Sequence, residues 1–308
     1  MTNKLQSSIS LKTNNSFLTD STYLEEVDEK KLFALTRSEN VLKSTTTWWE
    51  DISIDWAAIY KNQIPTELNF CKNLLEKLVK IGDKYYLRTQ YIGARGENRG
   101  RVYPKYSQSL GQMRRPVRHF LCKDLYYDLD IVNAHLSILL SVCISFGITC
   151  KYVKDYCKNR DKWLEKIQKK TQLSRSDSKK LIIALINGSD INNYLRKNNA
   201  KKVKGKYHIP KCVFDFKNEI VNITNALITE KGTNFYEEVT KHKNINKKGT
   251  FMSIYLQMWE ELLLEVAVQF CISNHLITQN ERGIIPCHDG FLILKSVFTE
   301  NFTLQDFI

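Results

Sequence analysis

Acidic residues are in short supply. The 308 residues hold 33 aspartates and glutamates against 46 lysines and arginines, a formal charge of +13. Such a balance favours a polyanionic partner, nucleic acid or a phospholipid surface. Cysteine pairs of the metal-binding kind are missing too. Cys71, Cys122, Cys143, Cys150, Cys157, Cys212, Cys271 and Cys287 include no Cys-x-x-Cys and no group with zinc-site spacing. A reducing compartment is therefore expected. Cys143, Cys150 and Cys157 recur every seven residues, which predicts a buried thiol stripe along one helix face. The opening MTNKLQSSISLKTNNS is too polar for a secretory leader. The apolar run after Asp130 is shorter than the ~20 residues a bilayer span needs, and it contains Asn133 and His135. It reads as a buried helix. No repeat or heptad run marks an oligomer, so the expectation is an intracellular monomer with no membrane partner.

What is present argues for a folded chain. Hydrophobic residues make up 43%, with 5 Trp, 15 Tyr and 14 Phe, too many for a disordered basic arm. The length suits one large unit or two to three subdomains. Residues 1–42 are polar. Trp48 to Lys84 reads as largely helical, with a turn at Pro65 followed by an apolar-periodic TELNFCKNLLEKLVKIG. YYLRTQYIG then reads as a strand.

From Gly93 to Arg118 the composition changes sharply. Arg95, Arg99, Arg101, Lys105, Arg114, Arg115 and Arg118 stand against the single acid Glu97. Gly93, Gly96, Gly100 and Pro104 make part of this stretch turn-like. Tyr91, Tyr103 and Tyr106 add flat rings, so the segment suits phosphates and bases together, or else a solvated basic loop.

Two carboxylates then stand far apart in sequence. In YYDLDIV, alternation puts Tyr127, Leu129 and Ile131 on one strand face and Asp128 and Asp130 on the other. Asp130 faces a cleft or caps the next helix, and Asp128 competes with it as a metal ligand. HDGFLIL predicts a tight hairpin with the turn at His288–Asp289–Gly290, Gly290 supplying the turn residue. If Asp130 and Asp289 converge, they can hold two divalent ions ~4 Å apart. Magnesium suits such oxygen ligands, with manganese as an alternative.

Between the acids, RSDSKKLIIALINGS predicts a helix begun by Ser174 or Ser176. Arg175, Lys179, Ile183 and Asn187 recur along one side of it. Arginine makes forked phosphate contacts, and lysine adds a compact charge and a proton donor. Gly188 ends the helix or lets the backbone close on a ligand.

This order of motifs, over roughly residues 85–295, resembles the polymerase domain of family A DNA polymerases and the related single-subunit RNA polymerases. Gly100–Arg101 is similar to the family's GR element, and Asp130 to His135 resembles its first catalytic motif. Arg175 and Lys179 resemble the phosphate-contacting residues of its fingers helix, and Ile183 the apolar residue near the base. Gln257 falls at a template or primer contact, and His288–Asp289 resembles the last catalytic motif.

The resemblance implies an α+β right-hand architecture: an antiparallel palm sheet, helical fingers and a reduced thumb-like region. Residues 1–84 would form the thumb-like region, 85–135 the palm entry, 136–248 the fingers and connection, and 249–308 the palm helix and catalytic hairpin. Asp130, Asp289 and Lys179 would be catalytic, with both aspartates on metal. Arg175, Lys179, Ile183, Asn187 and His135 would bind nucleotide, and Arg101, Arg115, Arg118, Gln257 and His288 nucleic acid.

The implied activity is extension of a primer on a DNA template with dNTPs by two-metal catalysis, without proofreading. A helicase or primase is the implied helper. His135 stands where the family's DNA enzymes carry glutamate and Asn187 where they carry tyrosine, so an NTP-using RNA polymerase or primase stays open. So does a non-catalytic nucleic-acid-binding relative.

Overall fold

The computed structural model describes residues 17–19, 21–37, 64–93, 101–106, 108–231, 233–279, 281–298 and 303. The helical reading of Trp48–Tyr60, the segment with Arg95 and Arg99, and Gly100 of the GR pair lie outside the described residues. The fold is mixed α+β, with ten α-helices and mostly antiparallel strands among those residues. The chain divides into two units, each considered by itself: a sheet unit, Thr13–Ile131 with Glu261–Ile308, and a helical unit that takes in Val132–Glu260.

In the sheet unit, β1 (Thr22–Val27), β2 (Val79–Ile81), β3 (Lys84–Gly93), β4 (Val102–Pro104) and β8 (Glu281–Arg282) form one sheet. Its order is β2-β3-β1-β8, with β4 on β3; β1 and β8 run parallel and the other pairs antiparallel. Alternation decides which side chains go inside. Leu87, Thr89 and Tyr91 of β3 are buried, as are Tyr23, Glu25 and Val27 of β1. A second sheet, β5 (Tyr126–Asp130), β10 (Gly290–Leu294) and β9 (Ile284–Pro286), is antiparallel throughout. Helices α1 (Glu29–Arg37), α2 (Ile64–Leu75) and α3 (Arg115–Cys122) bring Leu32, Leu35, Leu74, Val117 and Leu121 to a core shared with Leu87, Ile285 and Leu292.

Two local expectations need correcting here. Pro65 lies inside the first turn of α2 rather than in a separate turn, a place where proline's missing N–H costs nothing. LVKIG is not a helical continuation either: Val79–Ile81 pairs with β3 as strand β2.

The helical unit contains α4 (Ala134–Ser145), α5 (Lys151–Thr171), α6 (Arg175–Ile186), α7 (Ile191–Lys197), α8 (Lys211–Lys231), α9 (Thr233–Thr240) and the first half of α10 (Lys247–Ser273). The hairpin of β6 (Lys202–Val203) and β7 (Lys206–Tyr207) carries the exposed lysine run. The core gathers Leu136, Leu139, Trp163, Leu181, Leu185, Phe216, Phe251 and Tyr255, with Trp259 packed at its edge.

The thiol stripe does not exist as one helix face. Cys143 lies in α4 and Cys157 in α5, while Cys150 is the N-cap between them, because Gly147 takes φ 65° and stops α4. Burial pushes the Cys143 thiol up to about 12, so it is an inert core group. Among the described residues no helix is long and apolar enough to cross a membrane.

Candidate functional site: a carboxylate edge flanked by arginines

Asp130 and Asp289, whose convergence the sequence left conditional, are brought to the same sheet edge through strand register. Strand β10 pairs with β5 so that Gly290 faces Asp130 and Phe291 faces Leu129. The Ile131 N–H then donates to the Asp289 carbonyl at 3.1 Å, fastening the turn to the end of β5. Period-2 alternation exposes Asp128 and Asp130 on one side of β5, with Tyr126 buried. Asp130 does not cap the next helix: that place belongs to Asn133, in the left-handed region at φ 53°.

Charge at this edge is crowded. Desolvation first, then Asp128 and Asp289, push the Asp130 carboxyl above its ordinary range, while Arg115 and Arg118 pull it down. Three acids and two arginines thus share one electrostatic neighbourhood. Arg118 is held in place, donating from Nη1 to the Gly111 carbonyl at 3.2 Å. Arg114 serves the fold instead, its Nε lying 2.8 Å from Oε2 of the buried Glu67. Arg101 is half-buried just before β4. Tyr91, read as a base-stacking ring, is buried, whereas Tyr103 and Tyr106 are exposed.

The turn departs from its expected chemistry. His288, not Gly290, takes the left-handed conformation, at φ 58°. Gly290 opens β10, and its N–H donates back to the Cys287 carbonyl at 3.3 Å. His288 is exposed and meets the Tyr103 ring edge-on, centroids 5.7 Å apart. Histidine tolerates this backbone better than most side chains, but glycine adopts it freely. His288→Gly is therefore expected to leave stability within about 1 kcal/mol of the parent, the relieved strain offsetting glycine's entropy. Paired thermal melts and oligonucleotide titrations check this: weaker binding at an unchanged melting point marks the ring as a contact, and unchanged binding does not.

The other sequence-selected residues belong to the helical unit. Ser174, rather than Ser176, caps α6 by accepting from the Asp177 N–H. Arg175 is exposed and pairs with Asp161 at 2.6 Å, Lys179 is exposed, and Ile183 packs at the rim of the core. Asn187 is the C-cap of α6, and its carbonyl accepts from Asn246 Nδ2 at 2.9 Å. Gly188, at φ 76°, completes a helix-ending motif in which Ser189 N–H donates to Ala184 O and Gly188 N–H to Leu185 O. His135 is 11% exposed, its Nε2 lying 2.9 Å from Oε1 of the buried Glu260, a close contact without hydrogen-bond alignment. Gln257 donates to Ser253 Oγ at 3.1 Å.

Sequence reasoning missed Glu25 altogether. This carboxylate is fully buried in the sheet unit, and desolvation pushes it up to about 7. The alternation in TYLEEV, with Tyr23, Glu25 and Val27 on one strand face, was the available signal. Among the described residues no group of three or more His, Cys, Asp or Glu side chains is arranged to hold a metal ion.

No family profile matches the chain and no solved structure does, so nothing assigns palm, fingers or thumb to its parts. One similarity is found among curated proteins: "Putative helicase V13" of the Sputnik virophage, 27% identical over 201 residues. The match takes in 64% of this chain and 24% of that protein, so the chain corresponds to about a quarter of its relative. This similarity overturns the expectation of a template-directed nucleotidyltransferase extending primers with dNTPs, because the protein that matches is named for strand separation.

Proposed function

We propose that the chain is the strand-engaging part of a helicase-like nucleic-acid enzyme, gripping a polynucleotide at the β5–β10 edge. The observation that carries this reading is the register of Gly290 against Asp130. It places Asp289, Asp130 and Asp128 in one electrostatic neighbourhood with Arg115 and Arg118. The net charge of +13 and the helicase-named relative support it. The 308 residues hold no Gly-x-x-x-x-Gly-Lys-Ser/Thr phosphate loop, so the proposal concerns the strand and not a nucleotide-driven motor.

The donors at this edge fit a hard cation in part. Asp130 and Asp289 offer only carboxylate oxygens, and their mutual repulsion is what a magnesium or manganese ion would relieve. Asp130 and Asp289 would hold such an ion, which would supply positive charge toward a polynucleotide phosphate. Arg115 and Arg118 supply the phosphate-facing charge in either case.

The test is fluorescence anisotropy of a labelled oligonucleotide, single-stranded and duplex, in Mg²⁺ and in EDTA. Wild type is expected to bind more tightly in Mg²⁺. Asp130→Asn removes a negative charge from the edge, so it should bind more tightly than wild type in EDTA and lose the Mg²⁺ gain. The separation between the two proteins in EDTA should shrink as salt rises, as phosphate contacts do. Identical behaviour of both proteins in both buffers would remove the site from consideration.

A further inference from the structure

From the buried hydrogen-bond chain under the edge, we infer that Glu25 is a positioning residue. It fixes the 108–113 loop and, through that loop, sets Arg118 beside Asp130. This rests on the reading of the β5–β10 edge as a nucleic-acid grip.

The chain of contacts is continuous and lies within the sheet unit. Glu25 Oε2 accepts the Leu110 N–H at 2.7 Å, and Oε1 accepts the Tyr91 hydroxyl at 3.0 Å. The Tyr91 and Ser109 hydroxyls are 2.9 Å apart, and Ser109 Oγ accepts the Gly111 N–H at 2.9 Å. The Gly111 carbonyl then accepts from Arg118 Nη1 at 3.2 Å. Thr89 tightens the loop from the β3 side, donating to the Gln108 carbonyl at 3.0 Å.

The loop also touches the strand that leads into the Asp289 turn. A methyl group added at Gly111 would lie 3.2 Å from both Ile285 Cγ2 and the Pro286 carbonyl oxygen. One buried carboxylate therefore sets the seat of an arginine and the floor of the turn, 85 residues from its loop in sequence.

The ionisable groups around Glu25 are Tyr91 on β3, Cys122 on α3, Tyr126 on β5 and Cys287 after β9. All four are held neutral by burial. When Glu25 ionises it becomes a buried anion; the Leu110 N–H and the Tyr91 hydroxyl favour the charged form, but burial outweighs them, so opening the 108–113 loop to water relieves the charge. The loop then releases Arg118.

The experiment measures oligonucleotide affinity from pH 5.5 to 8.5 for the full chain, Glu25→Gln and Arg118→Ala, with circular dichroism as the folding control. Arg118→Ala should bind about tenfold more weakly at pH 6. Wild type should weaken toward the Arg118→Ala value as pH rises through 7, while Glu25→Gln, with no proton to lose, keeps its low-pH affinity. Superimposable wild-type and Glu25→Gln profiles, with Arg118→Ala still weakened, overturn the role of Glu25 alone. An unaffected Arg118→Ala overturns the grip on which that role rests. If Glu25→Gln fails to fold, amide exchange of Leu110 and Gly111 in wild type decides. Protection lost above pH 7, beyond the intrinsic rate, supports the inference, and constant protection ends it.

Discussion

Gly290→Ala is expected to destabilise the sheet unit by on the order of 3 kcal/mol, the upper range for overpacking a close-packed site. The reason is backbone against backbone. A Cβ at this position would fall on the Leu129 carbonyl oxygen, 2.6 Å from Asp130 Oδ1 and 2.9 Å from Asp130 Cα. None of these is the free end of a flexible side chain except the Asp130 oxygen, and that oxygen is at the proposed grip. Relief requires β10 to move off β5, which breaks the pairing of Gly290 with Asp130 and of Phe291 with Leu129.

The loss would reach further than one strand end. Phe291, Leu292 and Ile293 are buried in the unit's cores, so a shift of β10 disturbs apolar packing on both faces. A melting point lowered by roughly 6–12 °C is the corresponding observable for a unit of this size. Asp289→Asn, which adds no atoms to the interface, serves as the comparison. It should keep the parent stability to within about 1 kcal/mol, since it changes neither the volume of this partly buried side chain nor the strand pairing. A Gly290→Ala melt that overlays wild type would mean the two strands are not in this register.

The role of Gly290 was misread from sequence for an instructive reason. His-Asp-Gly looks like a turn tripeptide whose glycine supplies a positive φ, and local propensity supports that. The register instead makes glycine necessary for close approach, and the left-handed backbone falls on His288. Elements governed by local pattern were legible. The alternation of YYDLD and a serine cap, Ser174 of the two candidates, emerged from local pattern. Convergence of Asp130 and Asp289 was only conditional in the sequence, since strand pairing across some 160 residues leaves no local trace. The alternation of TYLEEV could have marked Glu25 as inward-facing, but not its role, because its partner amide at Leu110 is 85 positions away. Function was the least legible layer, because a pair of acids beside arginines serves many phosphate chemistries and does not choose among them.

The sheet unit should lose stability as pH rises from 4.5 to about 7, and Glu25 should be the main cause. Its carboxyl ionises near 4.5 in an open chain and near 7 when buried in the fold. Below 4.5 it is neutral in both states and contributes nothing against folding. Between the two values the unfolded chain has released the proton and the native unit still holds it, so each step upward in pH favours unfolding. Above about 7 both states are ionised and the full penalty stands. At about 1.4 kcal/mol per pH unit, the native state gives up on the order of 3 kcal/mol across the window.

Two other acids act in the same direction. Burial raises Glu67 despite Arg114, and Asp130 is raised by burial and its neighbouring aspartates. Asp155 and Asp190, both lowered by hydrogen bonds, act in the opposite sense and below this window, but within the helical unit. Glu25→Gln separates the contributions. Its amide keeps an acceptor for the Leu110 N–H and has nothing to ionise, so its denaturation midpoint should stay nearly level from pH 5 to 8 while that of wild type falls. Urea titrations at four pH values, read at an unchanged m-value, measure this directly. Parallel slopes for the two proteins would assign the pH dependence to Glu67 and Asp130. A steeper fall in wild type would locate it in the carboxylate beneath the Arg118 loop. The proton that stabilises the sheet unit would then be the one that keeps the arginine seated at the acidic edge.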